Sequence, residues 1–357
     1  MASPERKIKV AVLFGGRSDE HAISCVSAGN VIAALDPDRY EVIPIGITRT
    51  GRWVRQPDAD SFAIGPSGEL PEVGPGPEVD FGLLADPEQV DVVFPVLHGP
   101  WGQDGTLQGL LELSGVRYVG AGVLSSAVGT DKHFMKQIFA ANGLPVQPWV
   151  LARPYEWKHD PELVRAAVRG LGGAVFVKPA RAGSSFGISR VEPGQSIDAA
   201  VAQAQRFDPK VLIEAAADHP REVEVGVIGN PTGGTALTSE IAEIRVGGEH
   251  SFYDFEAKYL PEQHTDLAVP ADLPPEISEV VKDFAVKAFT ALDVEGLARV
   301  DFFILPNGRV VLNEIETMPS FTATSMFPRM WAASGLDYQA LLDHLINLAL
   351  SRDTGLR

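Results

Sequence analysis

The chain has 357 residues, and at about 150 residues per domain this length indicates two or three domains. Acidic side chains outnumber basic ones by 47 to 30, and the formal charge of −17 argues against binding to a nucleic-acid backbone. The single cysteine, Cys25, excludes an intramolecular disulfide and a zinc site of several thiolates. No apolar stretch is long enough for a signal peptide or a membrane span, so we expect a cytoplasmic protein with no membrane contact.

The first part of the chain alternates predicted strands with predicted helices. A β-branched run over 7–14 is followed by a helical pattern over 20–35, and further apolar runs over 41–47 and 90–97 predict strands. This alternation is typical of an α/β unit with a parallel sheet. We therefore predict an N-terminal α/β domain over residues 1–125.

Two further units are predicted after it. The second, over 126–217, contains predicted strands at 174–179 and 211–214, separated by a loop rich in glycine and serine. The third, over 218–357, combines strands with a long helical pattern at 275–292. The chain shows no internal repeat.

The segment 296–316 predicts a β-hairpin. Asn307-Gly308 is typical of a two-residue type I′ turn, because that turn needs positive φ at both central positions. With this turn, Pro306 faces Arg309. The register of the two strands follows from that pair.

This register brings charged side chains together. It places Asp301 opposite Glu314 and Arg299 opposite Glu316, all on one face. Opposed carboxylates destabilise a sheet, and a hard divalent cation such as Mg²⁺, which also takes phosphate oxygens, would compensate their charge. The alternative is a solvated sheet face on which Arg299 pairs with Glu316.

A second segment, 175–187, has the features of a phosphate site. It places Lys178 at the end of a strand, before a loop whose glycines would let backbone N–H groups approach phosphate oxygens. The P-loop pattern GxxxxGK[ST] is missing, and an ordinary hairpin loop is the alternative. Together with the carboxylates, the segment favours a nucleotide site.

Seven segments spread over nearly the whole chain carry a family resemblance. They are FGGRSDEHAIS (14–24), FPVLHGPWGQDGTLQG (94–109), DKHFMK (131–136), VFVKPARAGSSFGIS (175–189), YDFEAKY (253–259), GLARVDFF (296–303) and LNEIETMPSFTATSM (312–326). In this order they resemble the D-alanine:D-alanine ligases of the ATP-grasp superfamily. The resemblance implies an α/β protein, α+β in its ATP-grasp part, with three domains and an N-terminal parallel sheet.

The resemblance also implies a reaction. ATP phosphorylates the carboxylate of one D-alanine, the amine of a second D-alanine attacks the acyl phosphate, and D-alanyl-D-alanine for peptidoglycan is released with ADP and phosphate. It implies ATP and two Mg²⁺ ions as cofactors, with Mn²⁺ as an alternative metal. It further implies a homodimer, and the loop over 251–259 would act as a lid.

Individual roles follow from the resemblance alone. The catalytic set would be Glu20, Ser184, Tyr259, Arg299 and Ser325. Glu20 would bind the ammonium of the first D-alanine while hydrogen-bonded to Ser184 and Tyr259, and Arg299 would stabilise the oxyanion of the tetrahedral intermediate. The substrate-binding set would be His98, Lys258, Ser320 and Ser325. Tyr259 favours an amine over a hydroxyl as the acceptor.

The same resemblance assigns the nucleotide and metal sites. The nucleotide would be held by Lys132, Lys178, Ser184, Ser185, Glu214, Glu222 and Lys258. The metal ions would be held by Asp301, Glu314 and Glu316.

The chain departs from the family pattern at three positions. Glu316 replaces an asparagine that ligates the metal, Ser320 replaces a glycine, and Gln103 replaces a glutamate. We hypothesise that the changes at 103 and 316 compensate each other if the two side chains are close. The alternatives to a working D-alanine ligase are a paralogue with another acceptor and an impaired, non-enzymatic ATP-binding protein.

Overall fold

The computed structural model describes residues 6–56, 62–65, 68–246, 265–322 and 324–354. The strands are β1 Ile8–Gly15, β2 Tyr40–Ile47, β3 Trp53–Arg55, β4 Val92–Pro95, β5 Trp149–Ala152, β6 Val175–Pro179, β7 Ser189–Val191, β8 Val211–Ala215, β9 Arg221–Ile228, β10 Leu237–Val246, β11 Thr265–Ala268, β12 Leu297–Ile304 and β13 Val310–Glu316. The helices are α1 His21–Ala34, α2 Gly82–Ala85, α3 Thr106–Leu113, α4 Val123–Thr130, α5 Lys132–Ala141, α6 Pro154–His159, α7 Pro161–Arg169, α8 Asp198–Ala204, α9 Pro275–Ala291, α10 Met326–Ala333 and α11 Tyr338–Ser351.

The first sheet has the strand order β3-β2-β1-β4, with β1 parallel to both β2 and β4. This confirms the predicted parallel sheet, and the antiparallel edge strand β3 was not predicted. Val10, Val12 and Phe14 of β1 are fully buried in one core cluster with Leu341 and Ile346. The last helix, α11, therefore packs on the first sheet although it is farthest from it in sequence.

The second and third sheets are antiparallel. The second has the order β5-β8-β6-β7, and α7 and α8 share its core. The third has the order β11-β10-β9-β12-β13, and α9 packs on it through Val281, Ala285 and Ala288. In the described ranges, no helix combines the length and apolar character needed to cross a bilayer.

The turn of the β12–β13 hairpin differs from the prediction. Leu305 N donates to Arg309 O at 3.0 Å, and Gly308 N donates to Leu305 O at 2.8 Å. The loop therefore has three residues, and the predicted pairing of Pro306 with Arg309 is wrong. Proline suits the second position of a type I turn, and Gly308, at φ 79°, supplies the left-handed residue that follows such a turn.

A bulge at Asn313 corrects the register. The pairs nearest the turn are offset by one residue from the prediction, but the pairing shifts between Asp301 and the next residue. Beyond the bulge, Asp301 lies opposite Glu314 and Arg299 opposite Glu316, as predicted. Because a one-residue slip moves side chains to the other face, the bulge keeps both glutamates off the apolar side.

Candidate active site

A cavity of about 290 Å³ lies between the second and third sheets. Phe176 on β6 and Ile188, just before β7, line it on one side, and Val223 and Phe302 line it from the third sheet. Its polar lining includes most of the predicted nucleotide and metal residues: Lys132, Lys178, Ser185, Glu214, Glu222, Asp301 and Glu314. Apolar walls with a few convergent charges are typical of a small-molecule site.

Two lysines share one carboxylate at this cavity. Glu214, on β8, forms an ion pair through one oxygen with Lys178 of β6 and through the other with Lys136 of α5. Burial alone would raise the pKa of Glu214, but the two lysines outweigh it and hold the pKa below its ordinary value. Lys136 was not among the predicted site residues, although its spacing of four residues from Lys132 on one helix was an available signal.

Lys132 joins α5 to the acidic hairpin. Its ammonium lies 3.0 Å from Glu314 and donates to the backbone oxygen of Ala182 at 3.1 Å. Burial would lower the pKa of Lys132, but Glu314 outweighs burial and raises the pKa. The lysine therefore stays charged beside the cavity.

Arg299 pairs along its own strand, whereas the solvated-face alternative paired it with Glu316. Its Nε and Nη2 donate to Asp301 at 2.8 and 2.6 Å, and Nε lies 3.3 Å from Glu224. Burial would lower the pKa of Arg299, but Asp301 and Glu224 outweigh it and raise the pKa well above its ordinary value. The guanidinium is thus a fixed cation on the hairpin face.

The two positions suspected of compensating each other are in contact. Gln103 Nε2 donates to Glu316 Oε1 at 2.6 Å. Burial is the largest influence on Glu316 and raises its pKa to about 7, while Arg299 opposes the rise. Gln103 comes from the loop after β4 and Glu316 from the end of β13, so the contact joins the first sheet's loop to the third sheet.

The hairpin face offers hard oxygen donors of the kind that divalent cations prefer. Asp301, Glu314 and Glu316 project from one face and are held by a guanidinium, an ammonium and an amide, respectively. In the part of the chain that the structure describes, no three acidic, histidine or cysteine side chains form a closed ligand cluster. The oxygen donors are of the kind that suits a divalent cation, but a cation bound here would have to displace Arg299, Lys132 or Gln103 from them and draw the carboxylates together.

Glu20 ties the first sheet to the serine loop of the second. It is buried at the start of α1 and accepts a hydrogen bond from Ser184 Oγ. Ser184 and Ser185 both have positive φ, and a Cβ placed on Gly183 would meet the Glu20 carboxylate at 2.9 Å. A side chain at position 183 would therefore have to displace the Glu20 carboxylate.

Hydroxyl groups surround the predicted substrate residues. Ser325 Oγ donates to Ser320 Oγ at 2.9 Å, and Ser320 Oγ lies 3.2 Å from Ser27 Oγ. His98 Nδ1 lies 3.0 Å from the backbone oxygen of Met318, and burial lowers the pKa of His98. The structure brings His98, Ser320 and Ser325 together through Ser27, a residue that the sequence analysis did not identify.

Two predicted residues, Lys258 and Tyr259, lie outside the described residues, as does the whole predicted lid over 251–259. Their roles stay predictions.

Comparisons with known proteins agree with this geometry. A family model described as D-ala D-ala ligase N-terminus matches residues 9–121, and one described as D-ala D-ala ligase C-terminus matches residues 138–347. A D-alanine–D-alanine ligase of Kineococcus radiotolerans is 53% identical, with 99% of this chain and 100% of that protein covered. One of Mycobacterium bovis is 51% identical, with 99% and 98% covered.

Solved structures match over the same length. The VanG D-Ala:D-Ser ligase from Enterococcus faecalis superposes with a TM-score of 0.80 at 32% identity, covering 96% of this chain and 100% of that one. The D-alanine-D-alanine ligase from Coxiella burnetii gives 0.77 at 33% identity, covering 97% and 94%. These matches confirm the ATP-grasp architecture, and the chain belongs to the D-alanine–D-alanine ligase family.

Proposed function

We propose that this chain joins two D-alanine molecules at the expense of ATP, giving the dipeptide used in peptidoglycan synthesis. Relatives about half identical over the full chain carry that activity in their names. The structural observation that carries the proposal is the convergence of Lys132, Lys178 and the acidic hairpin face on one cavity between two sheets. That arrangement suits a nucleoside triphosphate next to a carboxylate that accepts its γ-phosphoryl group.

The first step joins two anions. A carboxylate oxygen of the first D-alanine attacks the γ-phosphorus, and the bond from that phosphorus to the oxygen of ADP breaks. We propose that Lys132 and Lys178 bind the phosphates and reduce this repulsion, with Ser184 and Ser185 beside them. Glu214 and Glu222 would orient the adenosine end.

The family uses ATP with a divalent metal ion, which when bound offsets phosphate charge and orients the phosphates. We propose that Asp301, Glu314 and Glu316 are the metal ligands. We further propose that two Mg²⁺ ions bind, and that Mn²⁺ can replace them. The carboxylates on the hairpin face support this assignment. Titration of the purified protein with each metal, followed by calorimetry, would give the identity and number of the ions.

The second step forms the peptide bond. The amine of the second D-alanine attacks the carbonyl carbon of the acyl phosphate, the carbon–oxygen bond to phosphate breaks, and the departing phosphate takes up the proton that the amine loses. We propose that Arg299 stabilises the oxyanion, that Glu20 holds the first ammonium, and that Ser325 with Ser320 binds the second carboxylate. The hydroxyl contact between these serines supports the last role.

Water must be excluded because it would hydrolyse the acyl phosphate. The contact of Ser184 with Glu20 supports a closed serine loop over the reacting groups. We propose that Lys258 and Tyr259 complete this closure. We further propose a homodimer in the cytoplasm, which sedimentation of the purified chain and fractionation of the native cells would test.

The acceptor is tested by a panel of amino acids. Purified protein with ATP, Mg²⁺ and D-alanine should release phosphate and form one dipeptide per phosphate. Phosphate release only with D-serine or another acceptor would replace D-alanine in the proposal. ATP binding without phosphate release from any amino acid would contradict the proposed activity.

A further inference from the structure

Lys136 is a fully buried lysine that the proposed reaction does not use. Its side chain is 0% exposed, and its ammonium forms an ion pair with Glu214. Lys136 is not part of the cavity lining, whereas Glu214 and Lys178 both are. It therefore lies outside the cavity, in contact with a residue that lines it.

Burying a lysine is costly, and an apolar side chain would fill the same space more cheaply. Glu214 already has Lys178 as a partner on its other oxygen. Without Lys136, the ion pair of Lys178 with Glu214 would have no net charge at the cavity wall. With Lys136 charged, the group of three carries one net positive charge.

Burial is the largest influence on the pKa of Lys136 and lowers it, while Glu214 acts in the opposite direction. Lys132 differs from Lys136 in its position, because it lines the cavity and pairs there with Glu314. The two lysines lie four residues apart on α5, so one helix supplies both.

We propose that Lys136 is a positioning residue for the nucleotide: by pairing with one oxygen of Glu214, it fixes that carboxylate and offsets its charge, so that Lys178, paired with the other oxygen, presents net positive charge to phosphate. The proposal rests on the proposed function, because it requires ATP in this cavity. Lys136 acts through Glu214 and Lys178 and does not touch the ligand.

The chain offers a matched control. Lys210 also forms a largely buried ion pair, with Asp131 at the start of α5, but neither residue lines the cavity. Lys136→Met and Lys210→Met each remove a buried ammonium. Only Lys136→Met removes an ammonium that belongs to the group of Glu214 and Lys178.

The test measures equilibrium binding of two probes to the full chain with Mg²⁺: the β,γ-imido analogue of ATP and adenosine. For Lys136→Met we expect the Kd of the ATP analogue to rise about tenfold or more, and that of adenosine, which carries no phosphate and is affected only through Glu214, to rise by a clearly smaller factor. For Lys210→Met both values should stay within about twofold of the wild type. The KM for ATP should rise in Lys136→Met, and the KM for D-alanine should not.

Equal weakening of both probes by Lys136→Met would show a purely structural role and overturn the proposal, as would unchanged binding of both. If Lys136→Met does not fold, Lys136→Gln, which keeps a polar group without the charge, is measured in the same way and must show the same selective loss. Failure of the wild type to bind the ATP analogue would instead count against the proposed function.

Discussion

Gln103 Nε2 lies 2.6 Å from Glu316 Oε1, although the two residues are 213 positions apart in sequence. According to the family resemblance, both positions depart from the expected pattern, one by losing an acid and one by gaining it. Their contact supports the hypothesis that the two changes compensate each other. The contact holds one acid and one amide.

At pH 8, above the pKa of Glu316, Gln103→Glu should destabilise the metal-free protein by about 3 kcal/mol, because it places two carboxylates in a partly buried contact. The exchanged double variant Gln103→Glu with Glu316→Gln restores one acid and one amide, and should recover most of that loss. Urea unfolding in the presence of a chelator measures both. Equal stability of Gln103→Glu and the wild type would contradict the compensation.

The stability of the metal-free protein should depend on pH through the ionisation of Glu316. Burial raises its pKa from an ordinary value of 4.5 to about 7. Its contribution is therefore fully present below pH 4.5 and is lost as the pH rises through about 7. Between pH 5 and 8 the wild type should lose about 3 kcal/mol more than Glu316→Gln, as a shift of one unit corresponds to about 1.4 kcal/mol. Parallel pH profiles for the two proteins would count against this prediction.

Deletion of Asn313 should give a folded protein with a regular hairpin. Asn313 is the extra residue of the bulge, so without it Leu312 stays opposite Phe302, and Glu314 and Glu316 still face Asp301 and Arg299. Deletion of Val311 instead would move Leu312 off the apolar face, and this variant should be strongly destabilised. Urea unfolding followed by circular dichroism compares the two. Equal destabilisation of the two deletion variants would contradict the placement of the bulge at Asn313.

Ser184→Ala should lower kcat/KM for D-alanine by about tenfold to a hundredfold, because a hydrogen bond to a charged group contributes about 1.5–3 kcal/mol. The loss is expected because Ser184 donates to Glu20. Ser189→Ala is the control, since Ser189 is on β7 and its hydroxyl donates to Gln203 at 3.4 Å, outside the cavity lining. Equal kinetics for the two variants would remove Ser184 from the proposed closure.

The sequence predicted the hairpin face correctly through two errors that cancelled. It assumed a two-residue turn and a regular ladder, whereas the structure has a three-residue turn and a bulge at Asn313. Pro306 was the available sign of the longer turn, since its fixed φ suits the turn better than the strand. Nothing in the local pattern predicts a bulge, which depends on burial of the whole sheet.

Contacts between segments far apart in the chain could not be predicted from the sequence. The ion pairs of Glu214 and the contact of Gln103 with Glu316 depend on how three sheets pack. Strands and long helices were predicted well because their apolar periodicity is local, as at 7–14 and 275–292. The domain division at 1–125, 126–217 and 218–357 stays a prediction.

We infer that ATP activates D-alanine as an acyl phosphate in this cavity. D-alanine labelled with ¹⁸O in its carboxylate, incubated with ATP and Mg²⁺ in unlabelled water, reports on this step. We expect one ¹⁸O atom in each inorganic phosphate released, with one dipeptide formed, because the donor oxygen leaves with phosphorus. Unlabelled phosphate released along with the dipeptide, or phosphate release that does not require D-alanine, would rule out the acyl phosphate.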